Sequence, residues 1–207
     1  MTETEPIFFW RETESNGFLC QYYPATFCNT DDPEGQQHEF NCAEQWMMYN
    51  KALILATPDP PEASTKFKKG TTKSAEAPFD ESRRNLPRRV LAEAYPDKQK
   101  YLIQSVPFTN RGKKRYDATK FEIVVTGNYY KFSQNPELKK LLMATGEREL
   151  FEAAPNDRTW GIGFKAEEAK KHTDRTSWGS NLLGNALMTV RERLRAEEAG
   201  EQGDSNV

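Results

Sequence analysis

The chain is poor in the ligands that usually organise small metal or disulfide sites: its 207 residues contain three cysteines and two histidines. Cys20, Cys28 and Cys42 are odd in number and lack Cys-x-x-Cys spacing, which argues against a disulfide framework and fits a reducing compartment. Taken with His38 they match no familiar zinc spacing, so they read as small buried thiols and no metal is expected. No apolar run exceeds a handful of residues, so neither a signal peptide nor a spanning segment is expected. The expectation is a soluble monomer without a membrane partner, intracellular, with cytoplasm and nucleus both open.

Aliphatic residues are also sparse. Hydrophobic content is 36%, but aromatic content is 12%, so rings must supply part of the core volume. Gly161-x-Gly163 lacks the third glycine and the preceding strand of a dinucleotide fingerprint, which removes a Rossmann turn from consideration. The net charge of −2 hides an asymmetry: between Lys66 and Lys120 fifteen Lys/Arg stand against six Asp/Glu. Arg83, Arg84, Arg88 and Arg89 are the densest part and RGKKR at 111–115 the second. Such a run is either a solvated loop or an electrostatic footprint for nucleic acid.

What the chain does have is mainly helical patterning, so the expected class is mostly α with a small β component (α+β) in one domain. Residues 1–6 read as a loose N-terminus, 7–195 as the domain, and 196–207 as a disordered acidic tail. Ile7-Phe8-Phe9-Trp10 has strand length, Ser15-Asn16-Gly17 is a turn, and Thr26-Phe27-Cys28 and His38-Glu39-Phe40 are further extended pieces of a β-rich cap. TPDPP at 57–61 must stop the first long helix. The basic region 57–109 reads as an insertion, exposed up to about Phe79, with a short helix over 85–94 and an extended piece at Tyr101-Leu102-Ile103. Helical periodicity resumes at Asp117 and runs to Phe132 despite Gly127. Asn135-Pro136 opens another helix with a buried stripe of Leu138, Leu141, Leu142 and Met143, closed by Thr145-Gly146. Residues 149–154 (ELFEAA) fit strand or helix equally. The last helix starts around 178–181, carries an apolar stripe from Leu182 to Leu194, and places Arg191, Arg193 and Arg195 at its C-terminal end. Gly184 inside it implies a close approach by a neighbouring element or a ligand.

Two stretches carry unusual chemistry. In 41–52 (NCAEQWMMYNKA), Asn41 and Glu44 have capping-box spacing, and the apolar body predicts a buried helix. Glu44 and Lys51, seven residues apart, fall about 20° short of two full turns with a rise of about 10 Å, so acid and amine share a face. Either Glu44 caps and Lys51 snorkels to water, or the two flank a ligand. The loop at 156–164 (NDRTWGIGF) gathers Asp157, Arg158, Trp160 and two glycines, which suits either a tight turn capped by Asp157 or a ligand-facing loop.

Five blocks in order, NGFLCQYYP (16–24), CAEQWMMYNKA (42–52), KFSQNPELKKLLMATG (131–146), NDRTWGIG (156–163) and WGSNLLGNALMTVRERL (178–194), resemble the NADAR family of YbiA-like N-glycosidases. The resemblance implies cleavage of a ribose–base N-glycosidic bond, with ADP-ribosylated guanine in nucleic acid as the leading substrate. A phosphoribosylaminopyrimidine of the riboflavin pathway, or ADP-ribose binding without cleavage, are the alternatives, and no cofactor is implied. It places the family's acids on Glu44 and Asp157, its helix lysine on Lys51 and its loop tryptophan on Trp160. Tyr116 stands where bacterial members carry tryptophan. Arg158 is the candidate for a pyrophosphate, and Asn16, Gly17, Phe18, Tyr23, Gly161, Trp178, Asn181 and Gly184 complete the implied binding set. Breaking such a bond builds positive charge at the anomeric carbon, so Glu44 is assigned to that centre and to general-base work, and Asp157 to orientation or proton transfer. Lys51 either binds ribose hydroxyls or phosphate, or attacks an opened sugar as a Schiff base. Arg83, Arg84, Arg88 and Arg89 are the expected nucleic-acid contacts.

Overall fold

A run of good helix formers without glycine or proline, AEQWMMYNKALILA, forms the central helix α1 (Ala43–Ala56) and ends where Thr57 and the following prolines cannot continue it. The structure, a computed structural model, describes residues 5–30, 35–59, 80–171 and 174–204. The helix start differs from the expected capping box by one residue. The Cys42 Sγ accepts from the Gln45 amide at 3.4 Å, and the Gln45 Oε1 accepts from the Asn41 amide at 2.8 Å. Gln45, not Glu44, therefore closes the helix start, and Glu44 is left for other work. Trp46, Met47, Met48, Ala52 and Leu55 are buried, whereas Leu53 faces out at 42% exposure.

Helices pack around α1. The segment after Asp80 is a 3-10 turn (Glu81–Asn85) followed by α2 (Leu86–Ala92) and α3 (Pro96–Gln104). It belongs to the core, since Leu86, Val90 and Ile103 are buried against α1. The Gln45 Nε2 donates to the Val90 and Glu93 carbonyls at 3.1 Å each, which ties this segment to the first turn of α1. Tyr101-Leu102-Ile103 is helical rather than extended. Gln99 and Ile103, four residues apart on the inner face of α3, are both fully buried, a helical spacing that the short apolar run concealed. The exposed loop expected before Phe79 falls largely on residues 60–79, outside the described residues.

Helix α4 (Asn110–Ser133) begins a full seven residues before the periodicity does. Its first turns are polar and show no apolar stripe, but the Thr109 Oγ1 caps them by accepting from the Gly112 amide at 2.9 Å. Gly127 is there because the Trp46 ring lies on it, where a Cβ would stand 2.2 Å from the indole, and the indole N–H donates to the Ile123 carbonyl at 2.7 Å. The next helix, α5 (Pro136–Met143), buries Leu142 while Leu141 turns outward at 47% exposure. Gly146 closes it with φ +61°.

The chain's early and late parts meet in a parallel pair: β1 (Ile7–Phe9) pairs with β4 (Leu150–Glu152), Phe9 opposite Glu152. Residues 149–154 thus resolve as strand. The other extended pieces, β2 (Phe27–Cys28) and β3 (Glu39–Phe40), form a separate antiparallel pair, so the N-terminal forty residues are not one β cap. After the short α6 (Ala166–Ala169), α7 (Leu182–Asp204) packs on α4 and β4. It begins at Leu182, after an irregular 178–181, and runs through the acidic stretch expected to be loose from 196. Arg191 consequently lies well inside the helix, buried, donating to the Thr145 Oγ1 at 2.7 Å and the Arg148 carbonyl at 3.0 Å. The close approach at Gly184 is the strand: a Cβ would stand 2.0 Å from the Leu150 carbonyl oxygen.

Candidate active site

The first turn of α1, the end of β4 and the loop after it converge on a cavity of about 730 Å3, within the usual range of about 300–1,000 Å3 for small-molecule sites. Glu44, Asp157 and Trp160 line it, so the structure brings both sequence-predicted acids and the loop tryptophan together. Trp10, Tyr22, Arg11 and Lys100 line the same space, as does a third acid, Glu152. The Arg11 guanidinium sits 4.4 Å from the Trp10 ring centroid and the Lys100 Nζ 5.7 Å from that of Tyr22.

Glu44 is 2% exposed and its Oε1 is buried without a hydrogen-bond partner. Burial raises its pKa from 4.5 to about 7; Lys100 and then Lys51 oppose the rise, and Asp157 adds to it. Glu152 is pushed up further, to about 8, by burial first and then by the negative charges of Asp157 and Glu44, against Lys100. Its Oε2 is also buried without a hydrogen-bond partner. Asp157 differs in that its Oδ1 accepts from the Thr159 amide at 2.8 Å and the Trp160 amide at 2.7 Å. The tight turn capped by Asp157 is present, and it fixes the carboxylate at the cavity.

Lys51 is not part of the cavity lining. Its Nζ lies 5.4 Å from the Phe108 ring centroid and 5.3 Å from that of Tyr116, two rings stacked at 5.4 Å, and burial lowers its pKa. Tyr116 stands inside α4, not ahead of it, and burial raises its pKa to about 12 with help from Glu44, Asp117 and Asp157.

The rest of the implied binding set supports the walls. The Asn16 Nδ2 donates to the Phe8 carbonyl at 3.2 Å, and Gly17 allows the Glu12 carbonyl to approach within 2.2 Å of where a Cβ would be. Phe18 is core, and Tyr23 lies beside the buried Lys131 ammonium, 5.5 Å from it. Arg158 donates to the Ser177 carbonyl at 2.7 Å, and Trp178 packs edge-on against Phe151 at 5.0 Å. Asn181, at φ 50°, accepts from the Glu152 amide at 3.0 Å and donates to the Leu150 carbonyl at 2.9 Å, while Gly161 lies against the Glu152 carbonyl. Gly184 lets β4 sit on α7. None of these eight, Asn16, Gly17, Phe18, Tyr23, Arg158, Gly161, Trp178 and Gly184, nor Asn181 lines the cavity.

Trp10, Arg11, Tyr22 and Lys100 were not among the sequence-predicted site residues, and neither were Glu152 and Lys131, two buried charges. Glu152 shares a strand face with buried Leu150, and a strand reading of ELFEAA would have turned it inward by period-two alternation. Lys131, fully buried, donates from Nζ to the Phe18 carbonyl at 2.8 Å and the Cys20 carbonyl at 2.9 Å, and burial lowers its pKa to about 8. It stands seven residues after buried Val124, which was the available signal. It shapes the turn that delivers Gln21 and Tyr22 to the cavity, where Gln21 is also held by the Asn128 Nδ2 at 2.8 Å. Of the basic cluster, Arg88 and Arg89 are exposed, Arg83 is half-buried and Arg84 pairs with Glu81. In the second basic stretch Lys113 pairs with Asp117, which also takes Lys120, and Arg115 pairs with Asp59. No described helix is long and apolar enough to cross a membrane.

The model of the NADAR domain matches residues 8–195, and the chain belongs to that family. Among its relatives, N-glycosidase R617 of Acanthamoeba polyphaga mimivirus is 33% identical over 194 residues, 92% of this chain and 97% of that protein. Protein irg-1 of Caenorhabditis elegans is 30% identical over 75% of this chain and 61% of its own length. N-glycosidase YbiA of Escherichia coli is 33% identical over 86 residues, 42% of this chain and 47% of that one. The NMR structure of Escherichia coli YbiA superposes with a TM-score of 0.62 at 18% identity, covering 96% of this chain and 89% of that one, which establishes a shared fold.

Proposed function

We propose that this protein is a hydrolase of N-glycosyl bonds that removes ADP-ribose from ADP-ribosylated guanine in nucleic acid. The observation that carries the reading is the Glu44 carboxyl, buried, free of hydrogen bonds at Oε1 and lining a cavity together with Asp157 and Glu152. A carboxylate so placed stabilises positive charge developing at an anomeric carbon and takes a proton from attacking water. Asp157, fixed by two amides, orients the ribose. Trp10, Tyr22 and Trp160 offer ring surfaces to adenine or guanine, and Arg11 and Lys100 offer charge to a diphosphate. Lys51, outside the cavity lining and against the Phe108–Tyr116 stack, acts on the site through its charge, which favours the ionised form of Glu44.

The test is incubation of a guanine-ADP-ribosylated oligonucleotide with the protein, followed by chromatography. Release of free ADP-ribose and restored guanine is expected. Intact oligonucleotide alongside cleavage of a phosphoribosylaminopyrimidine, or tight ADP-ribose binding with no cleavage, would each overturn the assignment. The arginines of the 80–89 segment supply the strand's electrostatic contact in this reading. Replacing Arg83, Arg84, Arg88 and Arg89 by glutamine is expected to flatten the dependence of log affinity on log salt by roughly 0.7 per lost single-strand phosphate contact. An unchanged slope in a salt titration removes that segment from the interface.

A further inference from the structure

Hydrolysis of a base–ribose bond requires a proton for the departing nitrogen as well as a carboxylate for the sugar. The charges around the cavity are divided to suit two different acids. Glu44, on α1, is faced by two cations, Lys100 on α3 and Lys51, and by one acid, Asp157. Glu152, at the end of β4, is faced by two acids, Asp157 and Glu44, and by one cation, Lys100; the Cys20 thiol is a further titratable neighbour, and Arg11 and Glu12 complete the charged lining. Burial raises both carboxyls, but the neighbouring charges pull Glu44 back toward ionisation and push Glu152 further toward the protonated form, a difference of the kind that splits a pair of carboxyls into base and acid.

Glu152 is also the most firmly positioned of the three. Its amide donates to the Asn181 Oδ1 at 3.0 Å and its carbonyl accepts from the Ile162 amide at 2.9 Å. Phe9 stands opposite it across the parallel pair. The backbone is held from Asn181 just ahead of α7, from the loop and from β1, yet the side-chain Oε2 is buried with no hydrogen-bond partner. Such an atom in a cavity wall is left free for a ligand to satisfy.

Resting on the N-glycosidase reading above, we infer that Glu152 is a catalytic residue, the general acid that protonates the departing base. The bond between the anomeric carbon and the base nitrogen breaks with its electron pair going to nitrogen, which takes the Glu152 carboxyl proton. Water adds its oxygen to the anomeric carbon and gives a proton to the Glu44 carboxylate. Exchange with solvent then returns Glu152 to the acid and Glu44 to the carboxylate, so water is the only co-reactant.

The experiment compares Glu152→Gln and Glu152→Asp with the unaltered protein on two oligonucleotides, one carrying ADP-ribosylguanine and one whose modified guanine is also methylated at N7. The methylated base is already cationic and departs with little help from an acid. Glu152→Gln is expected to lose about 100-fold or more in kcat on the ordinary base and less than about tenfold on the methylated one. It should also lose the fall in kcat/KM above pH 8 shown by the unaltered protein, while Glu152→Asp keeps that limb. ADP-ribose affinity, measured by calorimetry, should be unchanged. Activity of Glu152→Gln within about twofold of the unaltered protein, or an equal loss on both substrates with the alkaline limb intact, overturns the role. If the unaltered protein cleaves neither oligonucleotide, the functional reading itself falls and takes this role with it; activity in the unaltered protein with no effect at Glu152 removes only the role.

Discussion

Glu44→Gln is expected to lower kcat by about 100- to 10,000-fold on whichever N-glycoside the protein cleaves, with the fold intact. The substitution is isosteric, and the Glu44 Oε1 makes no hydrogen bond within the protein, so exchanging it for an amide removes charge without breaking a bond at that atom. The helix start does not suffer either, because the Cys42 thiol and the Gln45 side chain perform the capping. What is lost is a carboxylate attended by both Lys51 and Lys100, and with it stabilisation of the sugar cation. Steady-state kinetics beside a thermal melt decide the matter: turnover within about tenfold of the unaltered protein, in a folded variant, would remove Glu44 from the chemistry.

The same burial makes the protein's stability fall as pH rises from mildly acid to neutral. A carboxyl whose pKa is higher folded than unfolded binds its proton more tightly in the folded state. Its contribution is fully present below the ordinary value near 4.5 and is lost as pH rises through the folded value, about 7 for Glu44 and about 8 for Glu152. Each pH unit inside that window costs about 1.4 kcal/mol per group, so Glu44 alone accounts for on the order of 3 kcal/mol between pH 4.5 and 7. In a chain of this size a loss of 1 kcal/mol lowers the melting midpoint by roughly 2–4 °C. Lys131, pushed down to about 8, and the buried thiols of Cys20 and Cys42, pushed up to about 11, titrate above most of this window. Melts from pH 5 to 7.5 are therefore expected to drop by several degrees for the unaltered protein and by visibly less for Glu44→Gln. A flat profile, or equal slopes in the two proteins, would contradict the assigned burial.

Local pattern made much of this molecule legible. The central helix, the α4–α5 hairpin with Asn135-Pro136 at its joint, the strand at Ile7–Phe9 and the stripe of the last helix all follow from spacing and punctuation. What pattern could not convey is partnership across the chain. The pairing of β1 with β4, the anchoring of the 80–104 segment by the Gln45 amide and the burial of Lys131 each join residues far apart in sequence. The polar first turns of α4 hid its start, and the acidic composition after Ala196 hid a helix. Glu44, Asp157 and Trp160, which line one cavity, could be singled out from sequence because charge in a buried helix and an acid in a glycine-containing loop are anomalies that can be noticed locally. Glu152 is not anomalous in a strand read as half-exposed. It becomes so only when the partner strand and α7 cover it.

The three-residue ladder between β1 and β4 closes a loop of roughly 140 residues, and the cavity is built on both sides of that closure. So long a closure is entropically dear and short in reward, which places it late among folding events. During synthesis the Glu44 helix emerges long before the strand that must complete its site. A nascent chain holding only the first hundred residues carries Glu44 without Glu152, Asp157 or Trp160, so the cavity closes around that acid only after residues 150–160 have been made.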